Sequence, residues 1–349
     1  MTALPRPVAR WFDARGWKLR RHQGEMLEAA RRGRSALLIA PTGAGKTLAG
    51  FLPSLVELIE RPSDGLHTLY VSPLKALAVD VQRNPLSPIE EMALPLRVET
   101  RTGDTPAERK ARQRVRPPQM LLTTPESLSL LLSHEDSFAL FERLGTVVVD
   151  EVHAFAAGKR GDLLTLALAR LQKLAPRLRR VGLSATVADE EAYRGWLAPH
   201  GDSGLVDLVR GDPGAEPDIR IMLPEDERVP WYGHSGRWAA ARVMAEIERH
   251  RTTLVFCNTR GLAELIFQDL WAVNEQALPI GIHHGSLAVE ARRKVEAAIA
   301  SGRLRALVCT ASLDLGVDWG NVDLVVQMGA PKGSSRLLQR IGRANHRLD

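Results

Sequence analysis

An apolar run, Ala36-Leu37-Leu38-Ile39, leads straight into Ala40-Pro41-Thr42-Gly43-Ala44-Gly45-Lys46-Thr47, and a helix-like stretch follows from Leu48 to Ile59. This order constrains the fold more than any other feature of the chain. It predicts a buried strand, a glycine-rich turn and a helix whose N-terminus faces that turn, which is a unit of a parallel α/β sheet. Convergent backbone N–H groups and the positive end of a helix suit a polyphosphate. Lys46 adds a mobile positive charge, and the Thr47 hydroxyl is a ligand of the kind Mg²⁺ takes. Thr42, Gly43, Ala44, Gly45, Lys46 and Thr47 are therefore the candidate phosphate cradle, and ATP with Mg²⁺ is the implied ligand. The full pattern has glycine where this chain carries Ala40.

A second segment completes the same chemistry. Gly145-Thr146-Val147-Val148-Val149-Asp150-Glu151-Val152-His153 is a β-branched run without alternation, ending in two acids. Such a run suits a central parallel strand, whose C-terminal end is where ligands sit in sheets of this type. Asp150 is placed to hold Mg²⁺ through a water, and Glu151 to orient and deprotonate an attacking water.

The chain has 349 residues, 25% of them charged and 44% apolar, which is enough for two globular domains with full cores. It has no apolar run of the roughly 18 residues that a membrane helix needs, and residues 1–6 carry no secretory core. The two cysteines, Cys257 and Cys309, each fall in an apolar strand-like run. They read as buried free thiols in a reducing cytoplasm. The formal net charge of +6 permits a nucleic-acid partner.

Organisation along the chain is two-fold. Strands are expected near 36–39, 68–72, 120–123, 147–149 and 181–183. A stretch rich in Gly, Asp, Pro and Glu runs from His200 to Trp231 and reads as a linker, interrupted by one short alternating strand at 218–223. Beyond it, helices are expected at 236–249, 261–271 and 289–301, and strands at 253–257, 280–283, 306–309 and 324–327. The expectation is an α/β protein of two tandem parallel-sheet domains, 1–205 and 236–349, joined by a linker at 206–235, with one ATP site in the cleft between them.

With both halves placed, the chain resembles a superfamily 2 DExH-box helicase from about Trp11 to Asp349. The match runs, in order, through Ala40–Thr47, Ser72-Pro73-Leu74-Lys75-Ala76-Leu77, Arg101–Thr105, Thr123–Leu128, Asp150-Glu151-Val152-His153, Ser184-Ala185-Thr186, Val255–Arg260, His283–Leu287, Cys309–Asp318 and Gln339–Arg347. The wording at Gly316-Val317-Asp318-Trp319-Gly320 and at the Gln-Arg-Ile-Gly-Arg-Ala-Asn-His-Arg ending is similar to the Lhr-type (large helicase-related) helicases, most of all the bacterial branch encoded beside a DNA ligase. The resemblance implies two RecA-like domains. It implies that Gln23 reads adenine, whose N6 and N7 an amide can pair with, and that Asp318 accepts from the ribose beside Gly316. Arg343 becomes an arginine finger worth ~10³–10⁵ in rate, with Gln339 and Arg340 near the γ-phosphate. Many relatives have a second finger Arg where this chain has His346. Strand contacts fall to Lys75, Gly103, Thr123, Thr124, Ser184, Thr186, Arg260, Gly285 and Thr310, mostly toward phosphates, because an enzyme that walks must not read sequence. His283-His284 is read as non-metal, since no carboxylate or cysteine lies nearby in sequence.

The function so implied is an ATP-dependent translocase or helicase, moving 3′ to 5′ on single-stranded DNA in DNA repair, monomeric, and working beside repair proteins such as a ligase or nuclease; an RNA–DNA hybrid is a further substrate. An RNA helicase or remodeller fits the same motifs, since backbone contacts do not see a 2′-hydroxyl unless a donor is placed for it. So does an ATPase that binds without unwinding, since the chain stops soon after the last motif and reads as truncated there.

Overall fold

The computed structural model describes residues 4–41, 44–73, 87–156, 158–185, 187, 189–212, 217–224, 236–310, 313, 322–331, 337, 340–342 and 344. Thr42, Gly43, Lys75, Thr186, Gly316, Asp318, Gln339, Arg343 and His346 lie outside them. The chain divides into two units, Met1–Gly214 and Ala215–Asp349.

The first unit is built on seven strands: β1 (Ser35–Ile39), β2 (Thr68–Val71), β3 (Val98–Arg101), β4 (Met120–Thr123), β5 (Thr146–Val149), β6 (Arg179–Ser184) and β7 (Val206–Arg210). They form one sheet in the order β3-β4-β2-β5-β6-β1-β7, with every paired register parallel. A parallel sheet puts all its strand C-termini on one edge, so residues 40, 72, 124, 150 and 185 emerge together although up to 145 positions separate them. β1, β2, β5 and β6 are buried almost end to end, as their runs of Val and Leu require. A core of Leu37, Leu69, Val71, Val147, Val149, Phe155, Leu164 and Leu168 fills one face. Helix α3 (Lys46–Glu60) approaches β6 so closely that a Cβ at Gly50 would lie 2.7 Å from Leu183 Cδ1. Helices α1 (Arg6–Ala14) and α2 (Arg21–Arg31) add Val8, Trp11, Phe12 and Leu27 against Leu52 and Val56.

The second unit carries a four-stranded parallel sheet, β11-β8-β10-β9, from β8 (Thr253–Cys257), β9 (Ile280–His283), β10 (Ala306–Cys309) and β11 (Leu324–Met328). Helices at Ala240–Arg249, Arg260–Ala272 and Val289–Ala300 alternate with these strands, and apolar clusters flank the sheet. Cys257 and Cys309 are both buried. Among the described residues no helix is long and apolar enough to cross a membrane.

Two expectations are corrected. The linker does not begin at 206, because Val206–Arg210 pairs with β1 as the seventh strand of the first sheet. Asp207 on that strand is held by Arg32 and Arg34, a pairing that only the fold reveals. Residues 218–223 form no strand; Ile219, Ile221 and Leu223 stand largely exposed.

Candidate nucleotide site

The site gathers at the C-terminal edge of the first sheet. Gly45, with φ 77°, is the left-handed residue that turns the chain into α3. Lys46 opens the helix, is buried, and donates from Nζ to the Ala40 carbonyl at 2.9 Å. The departure from the glycine pattern at Ala40 has a packing counterpart. A Cβ at Gly211, just past β7, would come 2.4 Å from the Ala40 methyl, so a glycine at 211 leaves the room that the alanine takes. The Ala40 N–H donates to the Ser184 carbonyl at 3.0 Å and ties the cradle to β6.

Asp150 follows β5 and is buried. Its Oδ1 accepts the Glu151 N–H at 2.9 Å, and its Oδ2 accepts the Tyr70 hydroxyl at 2.8 Å. Burial and the neighbouring Glu151 carboxylate push Asp150 well above the usual carboxylate range, against the opposing pull of the Tyr70 hydroxyl and Lys46. Burial, then Asp150, also raise the Tyr70 phenol, while a hydrogen bond from Thr47 works the other way. Tyr70 and Asp150 are thus joined as hydroxyl and carboxylate, with Thr47 at the start of α3 on the same sheet edge. These are hard oxygen donors around a buried anion, the set that Mg²⁺ takes, so Thr47 and Asp150 fit the metal assigned to them.

Glu151 adopts φ 50°, ψ 50°, a left-handed conformation uncommon for a residue with a side chain. Its Oε2 is buried with no hydrogen-bond partner among the described residues. An unsatisfied carboxylate oxygen is costly unless something else occupies its lone pairs, and a nucleophilic water would do so. His153 Nδ1 lies 3.4 Å from that oxygen and 2.9 Å from Ser184 Oγ. Burial holds His153 down to about 4, with Lys46 acting in the same direction, so the ring is neutral at pH 7.

Gln23 is buried in α2, with Oε1 accepting the Arg20 N–H at 3.0 Å and Nε2 beside Gly45. Its oxygen is therefore already engaged, and the amide nitrogen is the half aimed at the cradle. Two neighbours were missed in the sequence. His22 Nε2 contacts the Ala44 carbonyl at 3.0 Å, and Tyr70 reaches Asp150 across 80 residues of chain. Only adjacency to Gln23 signalled the first, and nothing signalled the second.

Several assigned residues are turned inward. Arg340 is 1% exposed, its guanidinium lying 4.6 Å over the Phe256 ring and donating to Gln327 Oε1. It packs on the second sheet. Thr123 Oγ1 donates to the Arg101 carbonyl at 2.8 Å, Thr124 caps the helix Pro125–Leu132, and Ser184 is bound to His153. All three are buried. Gly103, Arg260 and Gly285 are exposed and Thr310 is half-buried. His283 and His284 do meet carboxylates in space, Glu296 at 3.0 Å and Glu264 at 3.3 Å, although neither is near in sequence.

Against this geometry, the family described as DEAD/DEAH box helicase matches residues 20–194. The chain belongs to the DEAD/DEAH box helicases. The helicase conserved C-terminal domain matches residues 238–347. The chain is 38% identical to the ATP-dependent helicase Lhr-Core protein 2 of Thermococcus barophilus, over 99% of this chain and 42% of that protein. It is 37% identical to the Lhr helicase/uracil glycosylase of Escherichia coli, over 93% of this chain and 25% of that protein. Among solved structures, the Mycobacterium smegmatis helicase Lhr bound to single-stranded DNA and AMP-PNP superposes with a TM-score of 0.81 at 38% identity, covering 99% of this chain and 46% of that one. The DUF1998 helicase MrfA bound to DNA gives 0.84 at 25% identity, over 99% and 47%. The chain therefore spans less than half the length of these relatives. They agree with the Lhr-type resemblance and with two tandem RecA-like domains.

Proposed function

We propose that this chain is an ATP-driven translocase on single-stranded DNA, moving 3′ to 5′ and serving DNA repair. The observation that carries the reading is the meeting of Lys46, Asp150 and Glu151 on one sheet edge, with a buried Glu151 carboxylate oxygen that has no hydrogen-bond partner among the described residues. Thr42 to Thr47 hold the phosphates, and Gln23, Gly316 and Asp318 the base and sugar. Thr47 and Asp150 would hold Mg²⁺, which would supply charge neutralisation for the phosphates. Glu151 takes the proton of the attacking water. Arg343, helped by Gln339, stabilises charge on the transferring phosphoryl group. Ser184, through His153, links the hydrolytic pair to β6, whose end leads toward Thr186. Exposed donors at Gly103, Arg260 and Gly285, with Thr310 and Lys75, hold the strand by its phosphates. DNA is favoured over RNA because the Lhr relative at 38% identity is described with single-stranded DNA. The protein acts as a cytoplasmic monomer beside a ligase or nuclease.

The test is ATP turnover with no nucleic acid, with single-stranded DNA, and with RNA of equal length, followed by strand displacement on 3′- and 5′-tailed duplexes. Stimulation by DNA and displacement from the 3′ tail support the proposal. Stimulation by RNA alone makes it an RNA remodeller, and stimulation without displacement leaves a binding ATPase.

A further inference from the structure

Tyr70 lies in β2 and is 2% exposed. Its strand is flanked by β4 and β5, and neither the phosphate cradle nor the acidic pair contains it. A buried phenol must place its O–H, and this one donates to Asp150 Oδ2 at 2.8 Å. The direction of this bond matters. Asp150 has Oδ1 tied by the Glu151 N–H and Oδ2 by Tyr70, so the carboxylate cannot rotate, while each oxygen keeps a further lone pair. Of the two groups that fit Mg²⁺, which lie about a hundred residues apart in sequence, the phenol fixes the acid.

We propose that Tyr70 is the positioning residue of the Mg²⁺ site, fixing the Asp150 carboxylate before nucleotide arrives. It acts through Asp150. The inference rests on the reading of the site as one for Mg²⁺-ATP, and it predicts a defect in metal affinity rather than in phosphate affinity. Tyr70→Phe removes one oxygen atom and keeps the ring.

The test is binding of a fluorescent ADP to the full chain, with excess EDTA and then across a Mg²⁺ titration, alongside Mn²⁺ binding to the ADP complex by electron paramagnetic resonance. Tyr70→Phe should bind ADP in EDTA as the parent does, and should need about tenfold more Mg²⁺ or Mn²⁺ for the same occupancy, as expected for one lost hydrogen bond to a charged group. An unchanged metal titration, or an equal loss of ADP binding in EDTA, overturns the role. If the parent itself shows no metal-dependent nucleotide binding, the functional reading falls and this inference with it. Should Tyr70→Phe fail to fold, the native phenol reports directly. The chain has three tyrosines, so Tyr193→Phe with Tyr232→Phe leaves Tyr70 alone. Its ultraviolet resonance Raman hydrogen-bond doublet should change when Mg²⁺ is added to the ADP complex and stay fixed on ADP alone in EDTA; no response to Mg²⁺ overturns the proposal.

Discussion

Replacing Arg340 separates two roles that a motif confounds. The guanidinium is 1% exposed, stacks at 4.6 Å over Phe256 of β8 and donates to Gln327 Oε1 of β11. The Gln327 amide is fixed by its own donations to the Met328 and Gly329 carbonyls at 3.0 and 3.1 Å, so its oxygen has no freedom to find another partner. A desolvated cation–π contact is worth about 2 kcal/mol, and a hydrogen bond from a charged group about 1.5–3. Arg340→Ala should therefore destabilise the second unit by about 4 kcal/mol, a large share of the ~5–15 kcal/mol that holds a domain together. Hydrogen exchange read by mass spectrometry is the assay. Amides of Thr253–Cys257 and Leu324–Met328 should lose about a thousandfold in protection, at tenfold per 1.4 kcal/mol, while β1, β5 and β6 of the first unit keep theirs. Arg340→Lys should recover only part, since an ammonium keeps the charge but not the planar stacking. If Arg340→Ala left exchange in β8 and β11 untouched while ATP affinity collapsed, the buried packing role would be refuted and a direct phosphate contact restored.

Three further outcomes are expected. Glu151→Gln should bind ATP as the parent does, by fluorescent-nucleotide titration, while turnover falls about 10²–10⁴-fold; normal turnover would remove Glu151 as the base. His153 is held at about 4 against an ordinary 6.5 by burial, so its contribution to stability is full above pH 6.5 and is lost as pH falls toward 4. Urea unfolding should accordingly show the parent losing about 2 kcal/mol more than His153→Gln between pH 7.5 and 5, and parallel losses would contradict the shift. A Cβ at Gly161 would sit 2.0 Å from the Phe155 carbonyl oxygen, on the short helix that follows Glu151. Gly161→Ala should cost about 3 kcal/mol and reduce turnover, whereas an unchanged melting temperature would mean the loop yields freely.

Apolar strands were legible because the pattern that buries them is the pattern that defines them: β1, β5, β8 and β10 are Val- and Leu-rich throughout. β3 was not, because Val98-Glu99-Thr100-Arg101 reads as surface. Its acid is buried by Arg109, Arg112 and Gln113, and its base by the Lys110 carbonyl and Gln113, all from the helix that follows. β7 was hidden in the same way by Asp207 and its arginine partners. At the site, the placement of Lys46, Asp150 and Glu151 on one sheet edge was legible, because each follows an apolar strand in the chain. The inward turn of Arg340, Thr123 and Ser184 was not, since a motif records which residue is present but not where its side chain points. Tyr70 depended on a contact between strands, and no spacing along the chain encodes that.

The late arrival of β7 sets a boundary for anyone producing the first unit alone. Ending a gene fragment at residue 205 would strip the neighbour from β1 and leave the strand that feeds the phosphate cradle as a bare, sticky margin open to self-association. Gly211 N–H also closes on the Ile39 carbonyl at 2.8 Å, so the useful stop codon lies beyond it. A few residues that read as spacer in the sequence thus decide whether such a fragment stays in solution.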